Sequence, residues 1–136
     1  MTNISAINLN CIELYKDSLK HLSNISNIYL SWVNLSVLGF QYLTKLKCVD
    51  IRYCDIKDDD LKNLENIKYI KLESCMNNLT DTGVSYLKNA KTIALIYCSN
   101  ITSNCLNHLM NVNDIYIYSN AKKSTPRKPL NIKMYI

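Results

Sequence analysis

The residues best equipped for chemistry are six cysteines, two histidines and a run of three aspartates. Cys54, Cys75 and Cys98 recur at intervals of 21 and 23 residues. That is too far apart for the C-x-x-C pairs that clamp zinc. On neighbouring parallel strands their sulfurs would fall in a line roughly 5 Å apart, near the Cα spacing of a disulfide but the wrong shape for a tetrahedral ion. They are expected to be reduced and structural. Cys11 and Cys48 fall at outward strand positions and Cys105 on the helical side, with no spacing that makes a site. His21 and His108 occupy equivalent places four repeats apart, ~19 Å in a stack of strands, so they cannot share a ligand. Neither has a nucleophile and an orienting acid at matching positions, which leaves a catalytic triad without support. Asp58, Asp59 and Asp60 open an apolar L-x-x-L phrase and read as a helix start favoured by the dipole. With only Gly39 and Gly83 in the chain, no glycine-rich phosphate loop can be built. The expectation is therefore no catalytic residue, no metal and no cofactor: not an enzyme.

The elements that hold these residues emerge from self-similarity. Segments beginning at Ile4, Ile25, Leu46, Ile67, Ala90 and Val112 follow one another at 21, 21, 21, 23 and 22 residues. Each opens on apolar-x-x-apolar-x-apolar, and the clearest copies are L-K-C-V-D-I-R-Y-C, I-K-Y-I-K-L-E-S-C and A-K-T-I-A-L-I-Y-C. Alternation over the middle of the phrase marks a short strand with every second side chain inward. About twenty residues then bring the chain back one strand spacing along, so the strands must be parallel. The apolar rows are Ile7, Ile28, Val49, Ile70, Ile93, Ile115 and Leu9, Leu30, Ile51, Leu72, Leu95, Ile117. Leu19, Phe40, Leu61, Val84 and Leu106 line the return path. Asp58, Asp81 and Ser103 read as N-caps of short back helices. No segment buries its rows alone, so the stack is the folding unit.

These phrases resemble the leucine-rich repeat, L-x-x-L-x-L-x-x-N/C-x-L, over nearly the whole chain. The stretch C-M-N-N-L-T-D-T-G-V-S-Y-L from Cys75 is similar to the cysteine-containing subtype found in F-box substrate receptors. The resemblance implies an α/β fold: a right-handed solenoid of about six repeats of 21–23 residues with a parallel sheet on its concave face. It also implies protein binding, and a buried Asn or Cys at the position shared by Cys54, Cys75 and Cys98. The repeats begin at residue 4 and leave no room ahead of them for an F-box, so ubiquitin-ligase membership is not inherited with the pattern.

The chain divides into a repeat body, 1–120, and a basic loop with a closing strand, 121–136. Of the formal charge of +5, all is accounted for by Lys122, Lys123, Arg127, Lys128 and Lys133; the other Lys and Arg balance the 11 acids. A neutral body with a basic tail is a weak nucleic-acid signature. Leu130, Ile132, Met134 and Ile136 alternate as a strand that would cover the last open edge. The first strand, around Ile7 and Leu9, has no covering element, and either self-association or a partner segment is expected at that edge. No apolar run approaches a membrane span and no signal peptide is evident. An intracellular, cytoplasmic location is expected, with the nucleus left open by the tail.

The outward strand face gathers six of the ten tyrosines and the only tryptophan. Tyr, Trp and Arg dominate interface energetics. The expected partner-binding residues are Tyr29, Trp32, Arg52, Tyr53, Tyr69, Lys71, Glu73, Tyr97, Tyr116 and Tyr118, and the expected partner is another protein. Two other functions remain open: a substrate-recognition part of a ubiquitin-ligase receptor lacking its F-box, and a nucleic-acid-binding protein using the tail.

Overall fold

The computed structural model of the 136-residue chain describes residues 4–35, 39–75 and 78–118, and the backbone of Ile132–Tyr135. The chain is α/β, with an all-parallel sheet and few helices. The strands are β1 (Ala6–Asn10), β2 (Asn27–Ser31), β3 (Cys48–Arg52), β4 (Tyr69–Glu73), β5 (Thr92–Ile96), β6 (Asp114–Tyr118) and β7 (Ile132–Tyr135). Each pairs with the next, so spatial order equals chain order, a form compatible with a repeat solenoid. The register never slips: Ile7, Ile28, Val49, Ile70, Ile93 and Ile115 are partners in turn, as are Leu9, Leu30, Ile51, Leu72, Leu95 and Ile117. A shift of one residue would turn each apolar row to solvent, and that cost pins the register.

The return segments are shorter on helix than on turn. Helix α1 (Asp58–Lys62), helix α2 (Asp81–Ser85) and the 3-10 segments Phe40–Tyr42 and Ser103–His108 carry Leu61, Val84, Phe40 and Leu106 into the core. Each then steps back to the sheet through hydrogen bonds three residues apart. Leu64 N–H donates to Leu61 and Ile67 to Leu64; Leu87 donates to Val84 and Ala90 to Leu87. At each strand entry one carbonyl takes two amides of the next rung: Lys47 accepts from Lys68 and Tyr69, and Lys68 from Lys91 and Thr92. Backbone polar groups are thereby paired at the bends, where a buried orphan would be costly.

The helix caps differ from those expected. The N-cap positions are Lys57, Thr80 and Thr102; Asp58, Asp81 and Ser103 are the first helical residues. Thr80 and Thr102 hydroxyls accept the amides two residues on, at 3.2 and 3.1 Å. The aspartates instead tie rungs together. Asp58 accepts the Thr80 amide at 2.7 Å and its hydroxyl at 2.6 Å; Asp81 does the same for Thr102 at 2.8 and 2.5 Å. Gly83 lies so close to this tie that a Cβ would stand 2.9 Å from the Asp58 Cα, which no side chain allows.

The core is one apolar cluster running through the described rungs. It thins at β1, where Ile7 and Leu9 are half-buried and Ile4 and Ile12 are exposed. The strand Ile132–Tyr135 lies beside β6, with Ile132 opposite Ile115 and Met134 opposite Ile117. The basic stretch from Lys122 to Lys128, and Leu130 and Ile136, lie outside the described residues. No helix among the described residues is long and apolar enough to cross a membrane.

Candidate binding face

The sheet presents its outward side chains as a grid of aligned rows. One row runs Asn8, Tyr29, Asp50, Lys71, Ala94, Tyr116 and the next Asn10, Ser31, Arg52, Glu73, Ile96, Tyr118. A third row begins where the strands end. Cys11, Trp32, Tyr53, Ser74 and Tyr97 each follow a strand and each adopt left-handed backbone, with φ of 51, 56, 53, 50 and 53°. Such a conformation costs a residue with a side chain roughly 1 kcal/mol or more. It persists because the amides of these residues continue the ladder: Trp32 donates to Arg52, Tyr53 to Glu73, Ser74 to Ile96 and Tyr97 to Tyr118.

Trp32, Tyr53 and Tyr97 are therefore not outward strand residues as expected, but members of a turn at the strand ends. Strict alternation forbids Arg52 and Tyr53 from facing the same side, and that conflict was the available signal. The left-handed turn resolves it, leaving both exposed and sending the next residue inward. Fractional exposures are 61% for Trp32, 42% for Tyr53 and 48% for Tyr97, with 40% for Tyr29 and 47% for Tyr69 on the strands. Trp32 and Tyr53 stack, with centroids 4.8 Å apart and planes 9° from parallel. Tyr116 and Tyr118 are half-buried on β6.

Charge at the centre of the face is already partnered. Arg52 grips Asp50 with two nitrogens at 2.9 and 2.7 Å and approaches Glu73 at 3.7 Å; Lys71 meets Glu73 at 2.8 Å. The hydrogen bond to Asp50 raises the Arg52 pKa further above its already high value. Arg52, Lys71 and Glu73, expected among the partner-binding residues, lie together on the outward rows of β3 and β4. Two rungs of opposite charges close on one another, with Asp50, an outward residue absent from the expected set, as the fourth member. A shallow depression of about 270 Å³ beside this block is bounded by Asn8, Asn10, Tyr29, Asp50 and Arg52.

One residue beyond the left-handed row, Cys54 and Cys75 are buried and Cys98 half-buried, all three free thiols. Each donates to backbone carbonyls: Cys54 to Arg52 at 3.2 Å, Cys75 to Ile51 and Glu73 at 3.6 Å, Cys98 to Leu72 at 3.5 Å. Cys54 also accepts the Val33 amide at 3.4 Å. Burial pushes the Cys54 thiol up, and the bond to Cys98 together with burial pushes up that of Cys75. Cys105, expected on the helical side, is fully buried there and pushed up to about 12 by burial. Cys11 is exposed, as are His21 and His108. No group of three or more His, Cys, Asp or Glu among the described residues is placed to hold a metal ion.

No protein-family model matches the chain, and no curated protein or solved structure is significantly similar to it.

Proposed function

We propose that the chain is a non-catalytic protein-binding module of the leucine-rich-repeat type. In this reading it is a right-handed solenoid of about six repeats whose sheet is the concave docking face. The observation that carries it is the set of five exposed aromatic side chains, Tyr29, Trp32, Tyr53, Tyr69 and Tyr97, on one face and its rim. Aromatic anchors supply most of the energy of protein interfaces, and a cluster of this kind is unusual on an inert surface. The central charges neutralise one another, which favours a protein partner over a polyanion. Nucleic-acid binding needs uncompensated cations along a face.

Size bears on how the face would work. Six strands at ~4.8 Å, each offering about five residues at ~3.3 Å, make a patch of roughly 25 by 17 Å. That is smaller than the ~800 Å² a partner usually covers. The left-handed row widens the patch with its largest side chains, so binding energy concentrates in Trp32, Tyr53, Tyr69 and Tyr97. The test is capture of partners from a lysate, then calorimetry of the captured protein against substituted variants. Tyr53→Ala or Tyr69→Ala should cost about 2 kcal/mol of binding, as hot-spot residues do. Tyr42→Ala and Tyr86→Ala, on the back, should cost nothing measurable. The reverse pattern would place the docking surface elsewhere.

A further inference from the structure

The left-handed row stacks its rings where two successive rungs carry them. Trp32 and Tyr53, on successive rungs, lie 4.8 Å apart and nearly parallel, the spacing of the strands themselves. The next member is Ser74, which is half-buried and carries no ring. After it comes Tyr97, exposed, with the same backbone conformation as Tyr53. Tyr53 and Tyr97 are thus two rungs apart, ~9.6 Å, with Ser74 between them in the row.

A gap of two strand spacings holds one planar ring at ~4.8 Å from each wall. That matches the Trp32–Tyr53 pair and falls within the 4.5–7 Å range of favourable aromatic contacts. We propose that the space over Ser74, between Tyr53 and Tyr97, is a slot for one aromatic side chain of the partner protein, which would complete a stack beginning at Trp32. The inference rests on the docking-face reading above and names what that face takes. An aromatic side chain is favoured over a nucleobase because the charges flanking the slot, Arg52 and Glu73, are paired with each other and with Asp50 and Lys71. Among the described residues beside the slot, a phosphate entering with a base would find Arg52 and Lys71 already paired with carboxylates.

The slot is testable without knowing the partner. The probe is N-acetyl-tryptophan amide, titrated into the full chain and followed by proton–nitrogen NMR, with adenosine in a parallel series. Saturable shifts are expected at Ser74, Tyr53 and Tyr97, with a dissociation constant on the order of millimolar, as suits one ring held by two contacts. Ser74→Phe places a ring in the gap at a position where Trp32, Tyr53 and Tyr97 already tolerate the left-handed backbone. It should raise the dissociation constant at least tenfold while leaving the remaining spectrum in place. Tyr97→Ala, which removes one wall and leaves the core untouched, should do the same and guards against a folding defect in the first variant. Saturable shifts confined to Tyr29 and Tyr69 and unaffected by Ser74→Phe would overturn the slot while leaving the docking face standing. Shifts confined to Tyr15, Tyr42 or Tyr86 on the back would overturn both. Adenosine binding at Ser74 without the tryptophan probe would replace the occupant with a nucleobase. No saturable shift with either probe would also overturn the slot.

Discussion

Tyr53 and Cys54, Ser74 and Cys75, Tyr97 and Cys98 are neighbours in the chain, yet they form two columns with opposite characters. The inner column repeats the same residue on three rungs, buried or half-buried, and its sulfurs bond to strand carbonyls. The outer column reads Cys, Trp, Tyr, Ser, Tyr from Cys11 to Tyr97, and its tyrosines and tryptophan are exposed. On each rung the outer residue is itself the left-handed one, and its turn sends the next residue inward. The inner position holds cysteine on these three rungs and buried Val33 on the rung before them, all small side chains that fit the core; the outer position ranges from Ser to Trp. The inner column is accounted for by packing and backbone hydrogen bonds. The outer column pays the left-handed cost with large aromatic side chains rather than glycine, and folding alone does not account for that choice.

The largest separation between the columns should come from charge. Cys75→Asp buries a carboxylate among apolar side chains and should cost on the order of 4 kcal/mol or unfold the chain. Cys75→Ala, which loses only weak thiol bonds, should cost about 1 kcal/mol. Ser74→Asp, one residue away, should be close to neutral. Urea denaturation of the three variants measures the contrast; similar losses at residues 74 and 75 would erase it. Alkylation sharpens the same contrast in rate. Iodoacetamide should modify exposed Cys11 first, and Cys54, Cys75 and Cys105 only as fast as the chain opens, since burial hides these thiols and raises their pKa values. Mass spectrometry of a time course would show the order.

Smaller effects are expected from the outer column on folding. Trp32→Ala breaks one stacked pair and should lower stability by about 1 kcal/mol, and Tyr97→Ala by less. The smallest concerns Asp60, in the first turn of α1. Burial raises its pKa above 3.8, opposed by the hydrogen bond from the Lys57 amide at 2.8 Å. A carboxyl with a raised folded-state pKa stabilises the fold below its unfolded pKa and loses that contribution as pH rises through the folded value. Asp60→Asn, whose amide oxygen still accepts from Lys57, should therefore be slightly more stable than the parent at pH 7. The two should converge as pH falls below about 4. A difference that grows on acidification would reverse the sign.

The rows of the core were legible in the sequence because burial imposes the same demand on each rung. Ile28, Val49, Ile70 and Ile93 are interchangeable solutions to one packing problem, and their period shows it. The cysteine column was legible from its 21- and 23-residue recurrence together with the resemblance to the leucine-rich repeat. The left-handed row was not, because its markers are normally Gly or Asn, whereas here the position holds Trp32, Tyr53 and Tyr97. The role of Asp58 and Asp81 was hidden by ambiguity: an aspartate at a helix start reads equally as a cap, and only the position of Thr80 and Thr102 one rung on shows the tie. Pairing among Asp50, Arg52, Lys71 and Glu73 depends on register between strands, which no single repeat contains.

If a partner docks on the outward face, the tyrosine rings report it directly. With ring-labelled tyrosine, a carbon–proton spectrum of the chain should show separate signals from both faces. Addition of a captured partner should broaden or shift Tyr29, Tyr53, Tyr69 and Tyr97 and leave Tyr15, Tyr42 and Tyr86 unmoved. Perturbation of Tyr15, Tyr42 and Tyr86, with the outward rings unchanged, would place the docking surface on the back of the stack.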